Sequence, residues 1–175
     1  LPEHIRRALG KEAADLALKF PESARFTPPE FLHFTLTFLG DQTDEDVGEV
    51  VSVMREIVPQ FAMPEIIVTG LCYGPSGAPP RMIWATTDAA TSEALGRVKE
   101  ALEDALAGRG LRFERESRKY NAHLTLARFE RVAQLPGIDT PLDLRFTPES
   151  VDLMESHLKR GGAEYGLLTE VEFGE

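Results

Sequence analysis

Two short stretches of the chain carry the same four-residue pattern, His-x-Thr-Leu. It reads HFTL over residues 33–36 and HLTL over residues 123–126. Histidine gives and takes protons near neutral pH because its unperturbed pKa is about 6.5. A threonine hydroxyl can donate a hydrogen bond to an oxyanion. Two such pairs could therefore divide acid and base work around a phosphoryl group, with Thr35 and Thr125 as donors to its oxygens.

Each copy lies in a run with apolar residues at alternate positions, FLHFTLTFL and NAHLTLARF. The runs predict one strand over about residues 31–39 and another over about 120–129. Side chains alternate across a strand, so histidine and threonine share a face in each copy and the apolar residues share the other. The repetition suggests a duplicated half that contributes one central strand each time. Under approximate twofold symmetry, the two His/Thr pairs would face each other across one groove.

The remaining segments alternate between helical and strand patterns. The second helix has a capping residue at Thr43 or Asp44 and acidic residues in its first turn. Helices and short hairpin-like links together predict an α+β fold with a mixed or antiparallel sheet. Helices are predicted within residues 2–19, 40–58 and 88–110, and further strands within 65–73, 81–87, 150–158 and 164–173.

Size and composition bound the classes of function. The chain has 175 residues, which fits one domain, and its formal net charge is −10. Tight sequence-independent binding to long nucleic acid is therefore disfavoured, whereas a short substrate in a local pocket stays open. The single cysteine, Cys72, excludes a disulfide framework, and its apolar surroundings indicate packing. With no apolar run long enough for a membrane helix and no signal peptide, we expect a cytoplasmic protein.

The polar and aromatic residues allow other functions as well. A zinc site is disfavoured because no second histidine, cysteine pair or carboxylate stands at ligand spacing beside either motif. His4 fits a solvated helix face. His157, in ESHLKRGG with Lys159 and Arg160, could meet a substrate backbone, although a solvated turn is the simpler interpretation. An exposed aromatic residue, Tyr120 or Phe26, could stack on a base.

The two tetrapeptides and their contexts PPEFLHFTLTFLG, HLTLARF and ESHLKRGGAEY resemble the 2H phosphoesterase superfamily. Within it the chain is most similar to the bacterial RNA 2′,3′-cyclic phosphodiesterases, formerly called 2′-5′ RNA ligases. The resemblance covers nearly the whole chain in the order of its elements. It implies a single domain over residues 1–175 with a bilobal, duplicated α+β fold. Two mixed or antiparallel sheets would flank a central cleft, with helices on the outer faces of two pseudo-symmetric lobes.

The resemblance also implies a reaction and the residues that perform it. Family members hydrolyse 2′,3′-cyclic phosphate ends to 2′-phosphomonoesters without metal or cofactor, and the reverse joining through a 2′-5′ linkage would be minor in water. His33 would protonate the leaving 3′-oxygen and His123 would activate water. Thr35 and Thr125 would hold phosphate oxygens, and Arg128 would add charge. The expected partner is a short RNA or nucleotide with a cyclic phosphate end. The protein is expected to be a monomer that does not bind membranes.

Three positions depart from the family pattern, and two other functions stay open. Relatives usually begin with a strand that ends in Leu-Pro, and here Leu1 and Pro2 begin the sequence; Ala122 stands where proline is common. Arg128 has the wrong parity to share a face with Thr125, so its role needs a bulge, a strand end or a long reach. The alternatives are a hydrolase of another small cyclic phosphate, such as ADP-ribose 1″,2″-cyclic phosphate, and a non-catalytic module that binds phosphate ends or RNA.

Overall fold

The computed structural model describes residues 1–20, 24–76, 78–130, 135–138, 140–159 and 162–174. Its helices and strands confirm the predicted α+β class. The α-helices are α1 (Glu3–Ala17), α2 (Asp44–Ile57) and α3 (Ala89–Gly108). The strands are β1 (Arg25–Phe26), β2 (Ile66–Gly74), β3 (Met82–Thr87), β4 (His123–Arg128), β5 (Pro141–Phe146), β6 (Ser150–Lys159) and β7 (Gly162–Glu172).

The strands form two antiparallel sheets. One has five strands in the order β1-β4-β3-β2-β5, and the other is the hairpin of β6 and β7. Two compact units contain them. The first comprises Leu1–Phe34, Glu65–Ala89 and Ala122–Phe146, and the second comprises Thr35–Pro64, Ala90–Asn121 and Thr147–Glu175. Neither unit is a continuous half of the chain, and a single domain of two pseudo-symmetric lobes stays a prediction.

The first unit packs α1 against the five-stranded sheet. α1 contacts β4, and its buried residues recur at the spacing of one helix face: Ile5, Leu9, Ala13 and Leu16. Leu124 and Leu126 on β4 are fully buried, as are Ile83 and Ala85 on β3. One face of the sheet thus supplies the core of this unit, and the alternate residues of β3 and β4 lie on the other face.

The second unit is built around α2 and α3. α2 begins with a capping box in which the Thr43 hydroxyl accepts from the Asp46 amide, which confirms Thr43 as the predicted cap. Apolar residues of α2 and α3, of the segments that directly follow these helices and of the end of the chain form one buried cluster: Val50, Val53, Met54, Val58, Val98, Leu102, Leu106, Leu111, Val171 and Phe173.

The predicted strand over residues 31–39 is wrong. Pro29–Phe31 form a 3₁₀ turn, and residues 32–40, all of which the structure describes, contain no strand. A single antiparallel bridge joins Phe34 to Leu124. At the start of the segment the physical reason is the two prolines, which lack the amide that a strand ladder uses: the turn begins at Pro28, whose carbonyl accepts from the Phe31 amide at 2.9 Å. After Phe34 the chain enters the second unit.

Candidate active site

The second histidine motif lies within the five-stranded sheet, as predicted. β4 pairs with β3 so that His123 is opposite Thr86 and Thr125 is opposite Trp84. His123 and Thr125 are half-buried, whereas the leucines between and after them are fully buried. The polar residues of this motif therefore share the face of the sheet that α1 does not cover.

The bridge between Phe34 and Leu124 brings the first histidine beside the second. In the register of this antiparallel bridge, His33 is opposite Thr125 and diagonal to His123. Diagonal neighbours of this kind have Cα atoms about 7–8 Å apart and project from the same face. Both histidines belong to the first unit. A small group could therefore contact both imidazoles at once.

The hydrogen bond of His33 fixes the tautomer of its ring. Nδ1 lies 2.7 Å from the carbonyl oxygen of Phe31. A carbonyl only accepts, so Nδ1 carries the proton that is donated in this bond. With Nδ1 held in this bond, Nε2 is the ring nitrogen that can serve in general acid–base chemistry.

Trp84 contacts His123, although no pattern in the sequence marks Trp84 as a site residue. The two rings have centroids 4.0 Å apart and planes inclined by 31°. The indole also lies across Gly74, where any Cβ would overlap the ring. Its Nε1 is buried without a hydrogen-bond partner among the described residues. The stacked indole limits the orientations of the imidazole.

A β-bulge resolves the parity problem of Arg128. Between Ile83 and Trp84 the register shifts, so that Ile83 pairs with Ala127 while Trp84 pairs with Thr125. Leu126 is the extra residue, and it is buried together with Ala127. The next side chain, Arg128, therefore returns to the face of His123 and Thr125. Its exposed guanidinium lies 3.4 Å from the sulfur of Met82.

Residues of the first motif that follow Phe34 are anchored inside the second unit. The Tyr120 hydroxyl donates to the carbonyl oxygen of Thr35 at 2.9 Å. Burial raises the pKa of Tyr120, so the phenol stays neutral and keeps its proton for this bond. The Thr37 hydroxyl donates to the buried carboxylate of Glu103 at 2.8 Å, and Lys99 lies 2.7 Å from the same carboxylate. These bonds fix the backbone at position 35 and the side chain at position 37.

The remaining candidates have other contacts or fit the simpler interpretation. His157 is exposed and lies 3.1 Å from Glu155, while Arg160 lies outside the described residues, as does the side chain of Lys159. His4 is exposed on α1. Burial raises the pKa of the Cys72 thiol, which makes it a poor nucleophile.

The two aromatic candidates for base stacking also contact other residues of the protein. The Tyr120 ring lies beside Gly96, in addition to its bond with Thr35. Phe26 packs edge-on against Phe20, with ring centroids 6.2 Å apart. Neither of these two contacts involves a motif histidine, whereas Trp84 lies beside His123.

Among the described side chains, no cluster of three or more His, Cys, Asp or Glu residues has an arrangement that could hold a metal ion. None of the helices in the described ranges is long and apolar enough to cross a membrane.

Comparison with known proteins identifies the class. The family model of LigT-like phosphoesterases matches residues 1–84 and 86–165. An RNA 2′,3′-cyclic phosphodiesterase of Thermus thermophilus is 30% identical over 173 residues, covering 96% of this chain and 84% of that protein. One from Aeropyrum pernix is 29% identical over 150 residues, covering 82% of each chain.

Solved structures share the fold. A crystal structure of a Thermus thermophilus protein matches with a TM-score of 0.84 at 26% identity, covering 98% of this chain and 93% of the other. E. coli LigT complexed with 3′-AMP matches with a TM-score of 0.76 at 22% identity, covering 100% and 94%. The chain belongs to the LigT-like phosphoesterase family, in the 2H phosphoesterase superfamily. The predicted family and the prediction of a phosphodiesterase enzyme are thereby confirmed.

Proposed function

We propose that the protein hydrolyses 2′,3′-cyclic phosphate ends of RNA or nucleotides to 2′-phosphomonoesters by acid–base catalysis with His33 and His123. The observation that carries the proposal is the bridge from Phe34 to Leu124, which sets the two histidines diagonally on one face beside Thr125. Two further findings support it. Relatives over most of the chain are RNA 2′,3′-cyclic phosphodiesterases, and E. coli LigT has been solved with 3′-AMP and with phosphate.

The proposed reaction is one in-line displacement at phosphorus. Neutral His123 takes a proton from water as the water oxygen attacks, and the bond from phosphorus to the 3′-oxygen breaks. His33 donates its Nε2 proton to that leaving oxygen, so the 2′-ester remains. Thr35, Thr125 and Arg128 would stabilise the charge on the non-bridging oxygens. Each proton transfer contributes typically 10²–10⁴-fold in rate.

The same proton transfers allow a minor ligation. If the 5′-hydroxyl of a second RNA replaced water as the nucleophile, His123 would take its proton and the product would be a 2′-5′ linkage. Water is in vast excess, so hydrolysis dominates. No step of this scheme draws on a metal ion.

The test is turnover of a nucleoside 2′,3′-cyclic phosphate and of a short RNA with that end, in excess EDTA. We expect a 2′-phosphate product from the wild type. His33→Asn and His123→Ala are expected to reduce kcat by about 10²-fold or more while substrate binding is largely kept. His4→Ala, which replaces an exposed histidine of α1, is the matched control and should leave kcat unchanged.

Three outcomes would contradict the proposal. Undiminished turnover in His33→Asn would remove this residue from the reaction. Loss of wild-type activity in EDTA would indicate a metal site instead. Binding of the cyclic phosphate without turnover would favour a binding module, and turnover of ADP-ribose cyclic phosphate alone would favour the related hydrolase.

A further inference from the structure

Gly10 lies in the middle of α1, whose 15 residues run from Glu3 to Ala17. Glycine is, after proline, the least favourable residue for a helix interior, so its presence here needs a structural reason. A Cβ at Gly10 would lie 2.9 Å from Cγ of Pro29 and 3.6 Å from its Cβ. Carbon atoms attract each other best at about 3.5–4.0 Å, so the shorter of these contacts would be an overlap. The missing side chain therefore allows the 3₁₀ turn Pro29–Phe31 to pack directly on α1.

The same turn holds His33. Its last residue, Phe31, supplies the carbonyl oxygen that accepts from Nδ1 of His33 at 2.7 Å. The Leu32 amide donates to the carbonyl of Pro29 at 3.3 Å and closes the turn. Leu32 is buried, and Pro29 packs on Gly10, so the turn is anchored on both sides within the first unit. The Phe31 carbonyl lies between these two anchors.

Pro29 has little freedom to move away from a new side chain at position 10. Its ring is closed onto its own backbone nitrogen, so Cγ follows the backbone of the turn apart from small changes of ring pucker. A side chain at position 10 therefore displaces the turn, and a larger side chain displaces it further. The displacement reaches His33 because Phe31, the last residue of the turn, is its hydrogen-bond partner.

We propose that Gly10 is a positioning residue for His33: its lack of a side chain lets the turn hold the Phe31 carbonyl against Nδ1, so that Nε2 is directed at the leaving oxygen. This inference rests on the proposed function, in which Nε2 of His33 gives its proton to the 3′-oxygen. After that transfer the ring keeps its proton on Nδ1, where the carbonyl accepts it. Misplacing a catalytic group by about 1 Å can cost about 10²-fold in rate, so a small shift of the turn is sufficient to slow the reaction.

The experiment compares Gly10→Ala and Gly10→Val with the wild type in turnover of adenosine 2′,3′-cyclic phosphate. We expect kcat per folded protein to fall by about threefold to tenfold in Gly10→Ala and further in Gly10→Val, with KM nearly unchanged. Nitrogen-15 NMR of the histidine rings is recorded at about pH 9, where an imidazole of unperturbed pKa is neutral. The His33 ring should carry its proton on Nδ1 in the wild type and shift toward the form protonated on Nε2 in both variants. His33→Asn identifies its resonances.

Gly48→Ala is the matched control, because a Cβ at this position of α2 would meet no atom within 4 Å. It should leave kcat and the ring resonances unchanged. Pro29→Ala removes the Cγ that the new methyl group would overlap, so Gly10→Ala should lower kcat much less in that background. An unchanged kcat or an unchanged tautomer in both Gly10 variants, or an equal loss with and without Pro29, would overturn this inference alone. No turnover by the wild type would overturn the proposed function and this inference with it.

Discussion

The two copies of His-x-Thr-Leu share a sequence pattern but are held in different ways. The second copy is part of β4, which pairs with β3 on one side and with β1 on the other. The first copy has one bridge to the same sheet, at Phe34. Beyond Phe34 its anchors are side chains of the second unit, because Tyr120 binds the backbone at Thr35 and Glu103 binds Thr37.

An alternating pattern is often taken to indicate both which side chains share a face and whether the segment pairs within a sheet. The two copies show that the pattern alone establishes neither property. Alternation of apolar and polar residues determines which side chains share a face only where the segment is a strand, as in the second copy; in the first copy Phe38, which alternation assigns to the apolar face, is 71% exposed. Alternation does not determine whether a segment joins a sheet. The histidines both depend on the five-stranded sheet of the first unit, whereas Thr35 depends on contacts within the second. Perturbations of the two sets of anchors should therefore act on different copies.

The largest effect is expected from Glu103→Gln. The carboxylate lies 2.7 Å from Lys99 and 3.3 Å from Arg115, and the side chains of Lys99 and Glu103 are only 8% and 3% exposed. Removing its charge leaves a buried ammonium unpaired, which costs about 3–5 kcal/mol of unfolding free energy. Urea unfolding measures this loss. In hydrogen exchange, amides of residues 35–40 should lose protection while those of 123–128 keep theirs.

Glu93→Gln provides the control for that variant. Glu93 and Arg97 form an ion pair of 3.0 Å on α3 as well, but their side chains are 69% and 61% exposed. Exposed helical pairs contribute about 0.3–0.5 kcal/mol. A loss in Glu103→Gln no greater than that of Glu93→Gln, or equal loss of protection in both copies, would refute the separate anchoring of the first copy.

A smaller effect, on the second copy, is expected from Gly74→Ala. The new Cβ would overlap the indole of Trp84, so the ring must leave its position against His123. Overpacking of this kind costs about 1–3 kcal/mol. We expect kcat to fall because the imidazole loses its stacking partner. Trp84 is the single tryptophan, so its fluorescence reports the displacement directly.

Gly48→Ala is the matched substitution in α2, where a Cβ would meet no atom within 4 Å. It should stabilise the helix by up to about 1 kcal/mol and leave both kcat and the fluorescence unchanged. If Gly74→Ala shifted the fluorescence but left kcat intact, Trp84 would have no part in orienting His123.

Most of the fold could be predicted from periodicity, and the exceptions have physical causes. All three α-helices and β3 fall within predicted segments, and β2, β6 and β7 extend beyond theirs by one or two residues, because each element is long enough to show its period. β1 has two residues, too few for any period to appear. β5, PLDLRF, does alternate, and it was missed because it follows a stretch rich in turn-forming residues.

The candidate site likewise has features that the sequence predicts and features that depend on tertiary structure. Residue types and spacing predict His33, His123 and their threonines, because acid–base chemistry restricts the choice of side chain. The parity of Arg128 depends on a bulge opposite Ile83 and Trp84, and a bulge has no signature in the letters HLTLAR. The contact between Trp84 and His123 requires the pairing of β3 with β4 and the absence of a side chain at Gly74. Both are tertiary facts.

The smallest effect is expected from Tyr120→Phe, which removes one hydrogen bond from the first copy. Loss of the bond to the Thr35 carbonyl should cost about 0.5–1.5 kcal/mol and lower kcat severalfold, because Thr35 is held less firmly. Burial raises the folded-state pKa of Tyr120, so its contribution is present below its unfolded pKa of about 10 and is lost as pH rises above it. Unfolding free energy should therefore fall less steeply above pH 10 in the variant.

Tyr73→Phe is the control for Tyr120→Phe. Tyr73 also donates to a backbone carbonyl, that of Pro136, and burial also raises its pKa, but it lies in the first unit away from Thr35. The two variants should lose similar unfolding free energy, and only Tyr120→Phe should lose turnover. Equal kcat in both variants would show that the hydrogen bond to Thr35 stabilises the second unit but does not position Thr35 for the reaction.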